Sequence, residues 1–152
     1  METLLLSDHC PDDIQRAGDI LRRGGLVAIP TETVYGLAAN ALDGEAVKKI
    51  YQAKGRPSDN PLIVHISRFS QLAPLVREVP ESAQKLAAAF WPGPLTIILP
   101  KSDVIPRQTS GGLDTVAVRC PSHPTARAVI DAAGVPLALS LIHISEPTRL
   151  QL

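Results

Sequence analysis

The residues best suited to chemistry lie between Ile29 and Ile66, in the stretch IPTETVYGLAANALDGEAVKKIYQAKGRPSDNPLIVHI. Thr31, Glu32 and Thr33 place two hydroxyls and a carboxylate directly after Pro30. Lys54, Arg56, Ser58 and Asn60 place two cations, a hydroxyl and an amide around Gly55, fenced by Pro57 and Pro61. His65 follows in LIVHI, and Arg119 closes a second apolar run, TVAVR. Arginine offers a planar fork for carboxylate or phosphate, whereas lysine acts as a point charge. Several cations among hydroxyls suit a ligand carrying both phosphate and carboxylate, as a nucleotide with an amino or organic acid would.

Each group also has a plain structural role open to it. Cations at a helix end interact favourably with the carbonyl dipole, which would account for Lys54 and Arg56. Asn60 is equally a turn residue, and Thr31 and Thr33 can bond nearby backbone while Glu32 is solvated. His65 can be a satisfied histidine within its strand, and Arg119 can snorkel from a strand edge. Ser110-Gly111-Gly112 resembles a phosphate cradle but lacks the Walker pattern and its strand-to-helix context.

Alternating strands and helices have to hold these groups. Leu26 to Ile29 reads as a strand, and Thr31 to Leu37 as a polar loop closed by Tyr35-Gly36-Leu37. Ala46, Ile50 and Ala53 recur at helical spacing, with Asp43 as N-cap and Gly55 as stop. Leu62 to Ile66 reads as a buried strand. This strand-helix-strand unit turns both polar loops toward one crevice, because ligands in open α/β sheets bind outside the carboxyl ends of strands. Upstream, Pro11-Asp12-Asp13 starts a helix with apolar Ile14, Ala17, Ile20 and Leu21, which Gly24-Gly25 stops. Downstream come a weak helical segment from Arg68 to Val76 broken by Pro74, and an alanine-rich helix from Pro80 to Phe90. Trp91-Pro92-Gly93-Pro94 makes a rigid turn, followed by a strand over Leu95 to Leu99 and an aperiodic loop from Lys101 to Asp114. A strand at Val116 to Val118, a helix at Pro124 to Ala133 and a strand from Val135 complete a single α/β domain.

Composition agrees with a globular class: 152 residues, 45% apolar and 20% charged, with a formal net charge of zero. That balance advertises no wholesale nucleic-acid binding, although a local basic patch stays open. No apolar run reaches the roughly 18 residues of a membrane helix. METLLLSDHC carries acids where a signal peptide carries basic residues, so a cytoplasmic location is expected. Cys10 and Cys120 lack CxxC spacing and read as reduced thiols.

GGLVAIPTETVYGLAANAL, the KIYQAKGRPSDNPLIVHI run, FWPGPLTIIL and DTVAVRCPSHP together resemble the YrdC-type threonylcarbamoyl-AMP synthase family, in order over roughly Asp12 to Ala138. The resemblance implies a single-domain YrdC-like α/β fold: a twisted mixed sheet with flanking helices and a concave ligand-binding face. It implies condensation of L-threonine, bicarbonate and ATP into threonylcarbamoyl-AMP with release of pyrophosphate, for transfer by a separate threonylcarbamoyl transferase onto tRNA. By position, ATP contacts fall on Lys54, Arg56, Asn60 and Thr115, and threonine contacts on Thr33, His65 and Arg119. Lys54 and Arg56 would carry the catalytic electrostatics. Mg²⁺ would arrive with ATP, held by substrate and water, with no protein metal site.

After Pro136-Leu137-Ala138 the family continues with Ser-Ala-Asn, where this chain has Leu141, Ile142 and His143. Leu139 to Arg149, LSLIHISEPTR, resembles the translation of a transposon adapter used in sequencing libraries. The expectation is a YrdC-like domain over residues 1–138, incomplete at its C-terminus and lacking part of its nucleotide site, with a non-native tail at 139–152. Leu139, Leu141, Ile142 and Ile144 remain suited to extending a strand. Two further functions stay open. One is a structured-RNA-binding module built on Arg22, Arg23, Lys48, Lys49, Lys54 and Arg56. The other is a carbamoyl-adenylate-forming carbamoyltransferase domain, as in hydrogenase-maturation proteins, although their zinc-finger cysteines have no counterpart here.

Overall fold

The computed structural model describes residues 4–7, 9–31, 35–55 and 61–142, leaving aside the side chains of Leu141 and Ile142. Helix α1 (Pro11–Arg22) starts on proline with Asp12 and Asp13 in its first turn. After β1 (Val27–Pro30) and β2 (Tyr35–Asn40) comes α2 (Gly44–Lys54). The Asp43 carboxylate accepts from the Glu45 and Ala46 backbone N–H groups, a cap of about 1 kcal/mol. Gly55 closes the helix at φ 64°, a left-handed conformation that favours glycine. Both helix signals in the sequence are realised.

Strand β3 (Ile63–His65) leads to two 3-10 turns, Phe69–Gln71 and Ala73–Leu75, where the sequence suggested one broken helical segment. Then follow α3 (Glu81–Phe90), β4 (Thr96–Pro100), α4 (Arg107–Ser110), β5 (Thr115–Arg119), α5 (Pro124–Ala133) and β6 (Leu137–Ile142). The six strands form one mixed sheet in the order β1-β2-β6-β3-β5-β4. Only β3 and β5 pair in parallel; every other neighbouring pair is antiparallel.

Two expectations are corrected here. Residues 35–40 are a full strand, not the close of a turn, so the segment from Leu26 to Ile66 is a β1-β2 hairpin, then a helix, then β3. Within the stretch expected to be an aperiodic loop, α4 forms and ties neighbouring elements together. The buried Thr109 hydroxyl donates to Ala41 O at 2.7 Å, Tyr51 Oη donates to Gln108 O, and Leu62 N–H donates to Thr109 O. These bonds hold the start of β3 against the α2 layer.

Strand alternation divides the sheet into two faces. On one lie Ala39, Val64, Ala138, Val116 and Val118, packed with Val47, Ile50, Leu72 and Leu75 of α2 and the 3-10 turns; Ile97 joins Ala83 and Ala87 of α3. On the other lie Ile29, Ala38, Leu137 and Leu139, covered by Leu21 of α1 and Val129, Ile130 and Ala133 of α5. The α1–α5 pair sits close because residue 18 is glycine: a Cβ there would fall 2.5 Å from the Ala132 carbonyl carbon. One turn later, Arg22 Nη1 donates to the carbonyls of Ala132 and Ala133, satisfying the last turn of α5. The helix pair covers only the β1-β2-β6 half of its face. Over the β3-β5-β4 half, Thr96, Ile63, Thr115, Ala117 and Arg119 are half-buried, and Ile98 is 64% exposed.

Candidate ligand-binding site

The uncovered half-face carries three of the residues singled out by sequence. Thr115, Ala117 and Arg119 alternate with the buried Val116 and Val118, so all three point to the open side of β5. His65 is the register partner of Arg119 on the neighbouring strand and shares its face. Thr115 and Arg119 stand at opposite ends of β5, four residues or roughly 13 Å apart at the rise of an extended strand. The face therefore carries a hydroxyl at one end and a guanidinium beside a buried imidazole at the other.

Both groups at the far end are held in place. Arg119 Nε donates to Gly93 O at 3.0 Å, and Gly93 N–H donates to Cys120 O at 2.8 Å. The Trp91–Pro94 turn, legible as rigid, thus fixes the plane of the Arg119 guanidinium; its Trp91-Pro92 peptide is cis. His65 is 4% exposed, and its Nδ1 lies 3.1 Å from Ile63 O. A carbonyl only accepts, so this contact places the proton on Nδ1.

Lys54 arrives at the other end by a different route. At the last turn of α2, its Nζ donates to Ser140 Oγ at 2.5 Å. Ser140 pairs with Leu37, and by alternation its side chain belongs to the face that α2 covers, at the end of the sheet where β5 begins. Lys54 and Arg119 therefore approach the sheet from opposite faces and are also separated along the strands; the convergence on one point expected from sequence is not what the described residues show. The described chain flanking both polar loops does meet at this end: Pro30, Tyr35, Gly55 and Pro61 adjoin the carboxyl ends of β1 and β6 and the amino end of β3. The antiparallel neighbours of β6 bring carboxyl and amino ends together, so the rule of carboxyl ends alone does not describe the site. Thr33, Arg56 and Asn60 lie outside the described residues.

Ser140 and Gly93 were not foreseen as site residues. The rigid turn offered a sequence signal for Gly93; Ser140 lay within the segment read as non-native. Strand β6 runs through residue 138 into 139–142 and occupies the middle of the sheet between β2 and β3. Three of the basic residues proposed for RNA are engaged by groups of the chain itself while staying exposed. Arg22 bonds α5 and pairs with Asp19, Lys49 Nζ donates to Gly24 O at 2.8 Å, and Lys48 pairs with Glu45. Among the described residues, no group of three or more His, Cys, Asp or Glu is placed to hold a metal, and no helix is long and apolar enough to cross a membrane. Cys120 is buried and its thiol is pushed above its ordinary range by desolvation, an effect that the neighbouring Arg127 partly offsets.

A six-stranded mixed sheet with helices on both faces, one of them only half covered, defines a single-domain α/β fold. Residues 19–148 match the Sua5/YciO/YrdC family, described as telomere recombination, and the chain belongs to that family. It is 58% identical over 132 residues to the threonylcarbamoyl-AMP synthase of Pyrococcus abyssi, covering 87% of this chain and 39% of that protein. It is 52% identical over 148 residues to the Bacillus subtilis protein of the same name, covering 95% of this chain and 42% of the other. The structure of P. abyssi Sua5 complexed with L-threonine superposes with a TM-score of 0.84 at 57% identity, over 86% of this chain and 38% of that one. The chain thus spans about two fifths of the length of these relatives.

Proposed function

We propose that this domain carries the adenylate-forming site of a threonylcarbamoyl-AMP synthase, condensing L-threonine, bicarbonate and ATP with release of pyrophosphate. The observation that carries the proposal is the polarity of the open half-face, with Thr115 at one end and the positioned Arg119–His65 pair about 13 Å away. A long ligand with a carboxylate at one end and phosphates at the other lies along such a face in one direction only. The likeness to a Sua5 protein whose structure contains L-threonine supports the assignment of the Arg119 end to the amino acid.

In this reading the threonine amine adds to bicarbonate, losing water to give a carbamate. A carbamate oxygen then attacks the α-phosphate of ATP, and pyrophosphate leaves with the electron pair of the broken P–O bond. Arg119 receives the threonine carboxylate with its guanidinium fork. His65, with its proton on Nδ1, and Thr33 orient the rest of the amino acid. Lys54 and Arg56 neutralise the phosphates, with Asn60 and Thr115 positioning the nucleotide, because phosphoryl and nucleotidyl transfers depend mainly on alignment and charge stabilisation. Cations and hydroxyls are a donor set fitted to an anion that brings its own Mg²⁺. The product is an activated mixed anhydride, to be consumed by a transferase acting on tRNA.

Threonine-dependent exchange of labelled pyrophosphate into ATP, with bicarbonate present, tests the proposal. Exchange that needs all three substrates is expected. Exchange independent of threonine, or none at any protein concentration, would overturn it.

A further inference from the structure

We propose that a cavity of 530 Å³ at the carboxyl ends of β3 and β5 is a second binding site, for a small monocarboxylate carried on a planar apolar body. None of its lining residues is among those assigned above to the proposed adenylate-forming site. Its volume falls within the range of small-molecule sites, which combine an apolar lining with a few placed polar groups. Trp91 and Pro92 form one wall, Ala87 and Ala88 of α3 another, and Phe69 is tilted against Trp91 with ring centroids 6.4 Å apart. Flat surfaces of this kind take a planar body in stacked or edge-on contact.

Charge selects the other end of the ligand. Two guanidiniums, Arg68 and Arg127, line the cavity, and no carboxylate does. Arg68 is already partly compensated by Asp131, whose carboxylate lies 3.8 Å away and also accepts from Ser67 Oγ. Among the described residues Arg127 uses only Nη1, in long contacts of 3.4 Å to Pro121 O and 3.7 Å to Cys120 Sγ. Its Nε and Nη2 edge is the fork that a carboxylate fits. One compensated and one uncompensated guanidinium leave a single positive charge to be matched, which favours a monoanion over a phosphate dianion.

Trp91 is the one tryptophan of the chain, so its fluorescence reports on this cavity directly. Phenylacetate is titrated against the whole chain, with the neutral isostere phenylacetamide alongside. A saturable change with the acid, at least about tenfold weaker with the amide and in Arg127→Gln, and unchanged in Lys54→Ala, is expected. No saturable change, an equal response to the amide, an unchanged response in Arg127→Gln, or loss in Lys54→Ala would each overturn the proposal. Should circular dichroism show Arg127→Gln unfolded, Arg68→Gln and the cavity-filling Ala88→Leu replace it. Weakened binding in both supports the site, and unchanged binding in either rejects it.

Discussion

The two halves of one sheet face contrast sharply. Under α1 and α5, Ala38, Leu137 and Leu139 are sealed, with exposures of 0–4%, while on the same face Ile98 is 64% exposed. The covered half has the aliphatic residues and the glycine contact that let two helices approach; the open half has Thr115 and Arg119, with the buried His65 where the two halves meet. Covering the second half would gain apolar burial worth roughly 25 cal/mol per Å². It would also cover the proposed ligand-binding face. The difference fits the proposed function: burial is complete away from the proposed site and incomplete over it.

That contrast can be broken most forcefully on the covered side. Leu137→Ala, in a fully buried position, is expected to cost about 2–5 kcal/mol in urea unfolding. Ile98→Ala on the open half should cost under ~1 kcal/mol, since little of its surface leaves water. Equal costs would erase the distinction. Gly18→Ala comes next: its Cβ meets backbone rather than a yielding side chain, so about 1–3 kcal/mol should be lost by the same measurement. A neutral result would mean that the helices part without penalty.

Smaller effects sharpen the picture at the ends of the strands. Ser140→Ala removes one hydrogen-bond partner of Lys54 and should lower stability by about 0.5–1.5 kcal/mol. An unaltered unfolding midpoint would show that Lys54 gains nothing from β6. The smallest effect belongs to Cys120, whose thiol is raised by burial. A group that holds its proton longer when folded contributes stability that is complete below its unfolded pKa and is lost as pH rises through the folded value. Stability should therefore fall above about pH 9, and less so in Cys120→Ala. Identical declines in both proteins would contradict this.

Much of the scaffold was legible in local chemistry. Asp43 and Gly55 delimit α2 because capping and left-handed geometry are local requirements. The α/β alternation and the rigid Trp91–Pro94 turn followed for the same reason. Strand β2 was not legible: YGLAAN has weak intrinsic strand preference and becomes a strand by pairing on both edges, with β1 and β6. Gly18 looked like an ordinary helix-weakening residue until α5 lay against it. At the site, residue types pointed to an anionic ligand, while the sharing of one side of β5 by Thr115 and Arg119 emerged only with the strand itself. The separation of Lys54 from Arg119 depends on the order and direction of β6, β3 and β5, which no local pattern encodes.

Calorimetric titration of L-threonine into the wild-type chain and Arg119→Gln tests most directly whether the open half-face is the binding site. The loss of a charge-assisted fork predicts affinity at least about tenfold weaker in the variant, with folding unchanged. Equal affinity in the two proteins would contradict it.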